Sequence, residues 1–413
     1  MMNKSFKRFS KLVLGATLSA SMILGSVGSA SANQTPASQN MYQYLNLNAA
    51  HNAGYTGSGV KAVVVEGGIA RVSSLGSRHL GGWDYRTKTL DISNQGNSDS
   101  AHGTKVASIL AGSGIGVASG ASVIYSPLSA PIAAEAALYN GAQIINVSQG
   151  KDFGTSDIFW LNNSTMNQTL EKSDIAIFQA AGNEAENRDS NTKCADLATY
   201  SGACIGAINP STNSLATFSG YGTTLFGSTQ GVESPVQTND GTFTTGQGTS
   251  FATPTAAGLY ALYKQKYPNA EPKQILDHMK KTAVTTSGGN AAGAGILKYV
   301  PIDLSGQIIL NASRVGLGKY HNIQLGVYDD NSISTVKSAR YELYSTNYNG
   351  MGQVSLTSGL NYIGLIAANA GESITIGNPF KSQMEAGKLY FIKVIVDFNN
   401  GQRHWKYRPF VYN

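Results

Sequence analysis

Three short motifs place side chains where they could carry out acyl transfer. Ser250 follows the glycine-rich stretch Gly246-Gln247-Gly248-Thr249 and opens residues 251–267, which have helical spacing. A serine at a helix N-terminus lies among free N–H groups and the positive end of the macrodipole, which favour a developing oxyanion. His102, in His102-Gly103-Thr104, is read as a loop residue ahead of the apolar helical stretch 105–111. Imidazole takes and returns a proton near neutral pH, and the neighbouring glycine leaves room for a substrate. Asn183 ends Ala181-Gly182-Asn183 after a strand-like run, where its amide could donate to an oxyanion. Taken singly, each has a plainer reading: a helix cap, a solvated histidine, a turn residue.

The elements that must hold these residues follow from periodicity. β-Branched runs at 60–65, 122–125, 143–147, 175–180 and 204–208 read as buried strands. Helical spacing occupies 105–111, 132–139, 166–172, 251–267 and 272–281. Their alternation predicts an α/β fold with a doubly wound, mainly parallel sheet covered by helices on both faces. In the helix after Ser250, Pro254 is expected in the first turn, where a missing N–H removes little. Ala252, Ala256, Ala257, Gly258 and Ala261 would let that helix lie close to the sheet. Beyond residue 300 the pattern becomes period-2, in 307–311, 323–328, 339–344, 362–366 and 389–398, with turn signals between. The expectation is a C-terminal all-β, sandwich-like domain over 300–413, without a chemical motif of its own.

Composition narrows the classes further. The 413 residues are 13% charged and 41% hydrophobic, with 47 Gly, which argues against a coiled coil and against wholesale disorder. The net charge of +6 is concentrated at the start: Lys4, Lys7, Arg8 and Lys11 are four charges without an acidic neighbour, and removing residues 1–32 leaves +2. That segment has a basic start, an apolar middle at 12–27 and the small-residue end Ala30-Ser31-Ala32, the pattern of a secretory signal cleaved before Asn33. An uncleaved anchor is the competing reading, against which Gly15, Ser19, Ser21 and Gly25 interrupt the apolar run. The expected location is therefore secreted, periplasmic or cell-surface, with no membrane association after cleavage. No basic cluster with interleaved aromatics remains, so nucleic acid is not an expected partner. Cys194 and Cys204 could close a disulfide in an oxidising compartment, the alternative being two buried thiols.

His102-Gly103-Thr104, Ala181-Gly182-Asn183 and Gly248-Thr249-Ser250-Phe251-Ala252-Thr253-Pro254 occur in the order and form of the subtilisin-like serine protease family, which residues 42–285 resemble. The resemblance implies a peptidase domain over 33–299 that acts on protein or peptide substrates. Ser250 would be the nucleophile, His102 the general base and then acid, and Asn183 with the Ser250 N–H the oxyanion hole. It also implies a substrate cleft lined by Ser148, Gln149 and Gly150 and by Ala180, Ala181 and Gly182, holding the peptide as an added strand.

Several positions depart from that family. Its acid is an Asp after the first strand; here the place holds Glu66, one methylene longer, within Val65-Glu66-Gly67-Gly68. Glu66 is the expected acid, with Gly67 and Gly68 supplying backbone freedom to absorb the extra length. Asp84 and Asp99 are the other carboxylates considered, both in polar loop sequence. Nine residues, 33–41, precede Tyr42, too few for the inhibitory pro-domain of many relatives. Residues 111–117, where relatives often bind calcium, carry no carboxylate, so no cofactor is expected and calcium is unsupported. Gln149 is more polar than the usual residue of its cleft wall. The reading from another class is an exported, proteolytically inactive scaffold whose β domain binds a surface or host molecule. An esterase is a third reading, which the absence of a nucleophile-elbow pattern disfavours.

Overall fold

The β-branched run that ends at Val65 forms the centre of a sheet, because both of its faces are covered by apolar helices. The computed structural model describes residues 34–96, 101–149, 164–189, 194, 197, 200–287, 289–304, 308–315, 322–329, 336–348, 354–368, 373–375 and 381–412. The signal-like segment 1–32, Asp99, Gly150 and His321 lie outside the described residues. The strands are β1 (Lys61–Val65), β2 (His79–Asp84), β3 (Thr89–Asp91), β4 (Ser122–Ser126), β5 (Ile144–Val147), β6 (Ala176–Ala180), β7 (Gly202–Asn209), β8 (Ser214–Leu215) and β9 (Gly227–Gln230). They run in the order β3-β2-β4-β1-β5-β6-β7-β8, with β9 also on β7. Pairing is parallel except where β3 joins β2 and β8 joins β7, and β10 (Ser234–Gln237) and β11 (Phe243–Gly246) form a separate antiparallel pair.

Register sets the site. Val65 pairs with both Ser126 and Val147, and Val147 with Gln179, so β1, β4, β5 and β6 end almost level. From β1 the chain goes to β2 and β3 at one edge, returns to β4 beside β1, and then crosses β1 to β5, β6 and β7 on the other side. Such a reversal opens a crevice at the carboxyl ends of the central strands.

The helices are α1 (Pro36–Tyr44), α2 (Leu47–Asn52), α3 (Ala101–Ala111), α4 (Ala130–Asn140), α5 (Ser164–Lys172), α6 (Thr249–Lys266) and α7 (Pro272–Lys281). One face of the sheet is covered by α3 and α6, whose Val106, Ile109, Leu110, Ala256 and Leu259 share a core with Phe178 and Ile205. The other carries α4 and the end of α5, with Ala133, Ala137, Leu138 and Leu170 against Val63, Ile145 and Ile177. Two expectations need correction. Helix α3 begins at Ala101, so His102 lies in its first turn and not in a preceding loop. Helix α6 begins at Thr249, so Pro254 is its sixth residue, inside the second turn, and leaves the Ser250 carbonyl without its i+4 donor.

The C-terminal part forms antiparallel sheets. One joins β12 (Ile308–Val315), β13 (Asn322–Asp329) and β16 (Ser373–Thr375); the other orders β15 (Val354–Ala368), β14 (Val336–Tyr348), β17 (Leu389–Phe398) and β18 (Arg403–Val411). Strand β17 is buried on both faces, and on one of them Leu389 and Phe391 enter the same core as α4 and α5. This explains why α4 is apolar all round: it lies between two sheets. The junction also holds a buried ionic cluster, in which Asp174 Oδ1 and Oδ2 lie 3.2 Å from Lys406 Nζ and Oδ2 lies 2.5 Å from Arg408 Nη1. Burial alone would raise the Asp174 carboxyl, but Lys406, then Arg408 and Lys264, outweigh it and hold the group far below its usual range.

Candidate active site

Glu66 follows the last residue of β1 and is 1% exposed. Its Oε2 accepts from His102 Nδ1 at 3.0 Å and from Gln149 Nε2 at 2.6 Å, while Oε1 is buried with no partner among the described residues. The His102 side chain, by contrast, is 41% exposed, so its far edge is open to a substrate. The start of α3 is drawn onto the acid by its composition. A Cβ at Gly103 would lie 2.2 Å from Gly68 O and 2.8 and 3.0 Å from Glu66 Cβ and Cγ. The hydroxyl of Thr104 accepts the Ala70 N–H at 2.8 Å, tying the same turn to the segment after Glu66. Gly103 thus lets the first turn of α3 close on the Glu66 side chain. Gly67 and Gly68, expected to absorb the extra length through backbone freedom, do not use positive φ.

Ser250 is partly exposed at the second position of α6. Its approach depends on Gly248, whose φ of 147° and ψ of 157° are essentially closed to other residues. Ala252, Ala256, Ala257 and Ala261 are fully buried, which sets the helix firmly against its neighbours. Phe251 stacks on His102 with ring centroids 5.8 Å apart, holding the imidazole beside the turn that carries Ser250.

Asn183 is oriented by a residue whose role the motif alone does not disclose. Its Oδ1 accepts from the Thr249 N–H at 2.8 Å and the Thr249 hydroxyl at 2.9 Å, and that hydroxyl accepts from the Gly182 N–H at 3.1 Å. With the oxygen engaged twice, Nδ2 is turned outward as a donor. The Phe251 and Ala252 N–H groups return to Gly248 O, and the Ser250 N–H, in the first turn of α6, has no i−4 carbonyl within the helix. The position a Cβ would take at Gly248 is 3.6 Å from Asn183 Nδ2 and 3.7 Å from Ser250 N, so both donors border space that the glycine keeps open. Two convergent donors beside a serine can stabilise the oxyanion of a tetrahedral intermediate.

The remaining expected site residues occupy the ends of β5 and β6. Ser148 is fully buried and its hydroxyl accepts from Asn146 Nδ2 at 2.9 Å, so only its main chain can meet a substrate. Gln149 directs its side-chain amide to Glu66 and away from a cleft wall. Ala180, Ala181 and Gly182 are buried at the end of β6, and Gly182 is held through its N–H by Thr249 and through its carbonyl by Gly220 N. Arg188, buried and paired with Glu184 and Glu186, packs against Gly182, where its Nη2 would lie 2.0 Å from an added Cβ. Cys194 and Cys204 are joined as a disulfide that ties the chain to β7. The Asp84 carboxylate is spent on the N–H groups of Arg86 and Thr87 within a turn. His51 and His278 bond the carbonyls of Val117 and Val300, whereas His79 is buried with neither ring nitrogen partnered among the described residues.

The segment 111–117 does not fit a cation. Arg78 Nη2 donates to Ser74 O at 2.6 Å, Ala111 O at 2.9 Å and Ser113 Oγ at 3.0 Å, and the Tyr42 hydroxyl donates to Gly116 O at 2.8 Å. A fixed guanidinium thus already uses oxygens that a metal would need, and no His, Cys, Asp or Glu group suited to a metal occurs among the described residues.

The chain is similar to known proteins in both sequence and fold. The model of the subtilase family matches residues 29–300. Subtilisin Savinase of Lederbergia lenta is 32% identical over 267 residues, covering 60% of this chain and 92% of its own. Subtilisin NAT of Bacillus subtilis subsp. natto is 31% identical over 267 residues, covering 60% of this chain and 67% of its own. Among solved structures, a protease of Pseudoalteromonas arctica has a TM-score of 0.52 at 21% identity, over 64% of this chain and 96% of that one. A cold-adapted subtilisin-like serine proteinase has a TM-score of 0.50 at 23% identity, over 60% of this chain and 91% of that one, and both share the fold.

Proposed function

The chain belongs to the subtilase family, and from that premise we propose that it is an exported endopeptidase whose triad is Ser250, His102 and Glu66. Subtilisin-like serine endopeptidase activity on proteins or peptides comes with the family. The observation that carries the assignment of the acid is the contact of 3.0 Å between Glu66 Oε2 and His102 Nδ1.

In this reading His102 takes the proton of Ser250 as the oxygen attacks the scissile carbonyl carbon. Glu66 accepts from Nδ1–H, fixes the tautomer and stabilises the imidazolium. The negative charge on the carbonyl oxygen is met by Asn183 Nδ2 and the Ser250 N–H. His102 then gives its proton to the leaving amine as the C–N bond breaks, and water, activated by the same imidazole, releases the acyl group from Ser250. The main chain at Ser148, Gln149 and Ala180–Gly182 would line the cleft, and this chemistry requires no metal.

Export is supported by the basic, apolar and small-residue pattern of residues 1–32 and by a disulfide suited to an oxidising compartment. The chain then divides into a signal at 1–32, a peptidase domain at 33–299 and a C-terminal β region at 300–413, sandwich-like and open to a surface or host ligand. No helix among the described residues is long and apolar enough to cross a membrane.

The test is labelling of the protein with a fluorophosphonate probe, beside Ser250→Ala. Labelling lost in the variant identifies an activated serine. A folded protein that stays unlabelled across pH overturns the reading in favour of an inactive scaffold, and N-terminal sequencing of the exported form checks cleavage before Asn33.

A further inference from the structure

We propose that Gln149 is a positioning residue of the catalytic centre, whose amide holds the Glu66 carboxylate in the rotamer that faces His102. The inference rests on Glu66 being the triad acid. A glutamate has one more side-chain torsion than an aspartate, so its carboxylate needs an additional restraint to remain aimed at an imidazole. Here Oε2 accepts both the His102 Nδ1–H and the Gln149 amide, while Oε1 has no partner among the described residues. These contacts therefore decide where the carboxylate points.

Of the pair, Gln149 is the fixed donor. It follows β5, which is paired to β1 through Val147 and Val65, whereas the His102 side chain is 41% exposed and changes its protonation in every turnover. An ionised carboxylate only accepts, so the face of the amide turned to it must be Nε2, as found at 2.6 Å. On the other side Gly103 closes on Glu66 Cβ and Cγ, and the acid is confined between the glycine and the amide. An apolar residue at 149 would leave Oε2 buried with one donor fewer, free to turn away from Nδ1.

Steady-state kinetics of the whole chain on a peptide substrate test this. Gln149→Leu and Gln149→Met should each lower kcat by roughly 10- to 100-fold, the scale of a misplacement near 1 Å, with KM within about threefold. In a Glu66→Asp background, where the carboxylate is drawn back out of the amide's reach, Gln149→Leu should change kcat by less than about threefold. Unchanged kcat in Gln149→Leu, a loss confined to KM, or the same loss in both backgrounds would each overturn the proposal. Glu66→Gln separates the two failures. If it abolishes activity while Gln149→Leu does not, only the role of Gln149 falls; if it is itself without effect, the assignment of the acid falls and the role of Gln149 with it.

Discussion

Nδ1 of His102 lies 3.0 Å from Oε2 of Glu66, so the side chain that is longer by one methylene than the family's aspartate still reaches the imidazole. Gly103, at the start of α3, lacks a side chain and closes on Glu66 Cβ and Cγ. If this contact orients the base, Glu66→Gln should reduce kcat by roughly 10⁴-fold, the scale of losing the acid of a serine-protease triad, with the fold intact. Circular dichroism and peptide hydrolysis on the same samples check it. A loss below tenfold would mean that another group serves as the acid.

The oxyanion donors depend on Thr249. Asn183→Ala should lower kcat by roughly 10²- to 10³-fold with little change in KM. Thr249→Val keeps the shape but removes the hydroxyl that donates to Asn183 Oδ1, and the amide can then turn over. A reduction in kcat of roughly tenfold is expected, because the Thr249 N–H still restrains the oxygen. Equal kcat in Thr249→Val and the parent would show that the N–H alone suffices.

Much of this centre is legible from side-chain types and order. The strands at 60–65, 122–125 and 143–147 emerge as β1, β4 and β5, since continuous β-branched runs have no other economical burial. Contacts made across the fold are not legible in this way. Thr249 carries its neighbour's amide and Gln149 carries the acid, yet neither partner is near in sequence. Pro254 falls in the second turn because α6 starts at Thr249, ahead of the apolar spacing that marks its body. The burial of Leu389 and Phe391 on one face of β17 depends on α4 and α5, which are more than 200 positions away.

Asp174 is the only carboxylate directly bonded to the buried Lys406 among the described residues. Asp174→Asn should destabilise the protein by about 3–5 kcal/mol, because the buried Lys406 would lose its carboxylate and the partly exposed Arg408 one ion-pair partner. Denaturant unfolding measures this, and kcat of the folded fraction should not change. A variant as stable as the parent would show that water or a shift of β18 satisfies both cations.

Arg78 supplies a permanent cation to the carbonyls of Ser74 and Ala111. Chelation with EDTA should therefore leave the thermal midpoint unchanged. Arg78→Met, which keeps an apolar stem and removes the charge, should cost roughly 2 kcal/mol, the scale of a hydrogen bond made by an ionised donor. A clear fall in the midpoint of the parent on chelation would show that a metal is bound after all.

His79 gives the protein a defined sensitivity to acid. It is 1% exposed at the start of β2, neither ring nitrogen has a partner among the described residues, and burial, then the charge of Arg71, lowers its pKa to about 4. In the unfolded chain the group titrates near 6.5, so between these values the unfolded state binds more protons than the native one. Its contribution to stability is present above pH 6.5 and is lost as the pH falls through 4, up to roughly 3 kcal/mol. Unfolding free energies at pH 7.5 and 4.5 should show His79→Leu losing less stability on acidification than the parent, by about that amount. Groups elsewhere titrate alike in both proteins and cancel in the difference. Parallel losses in the two proteins would mean that His79 takes up its proton within the native fold at no cost.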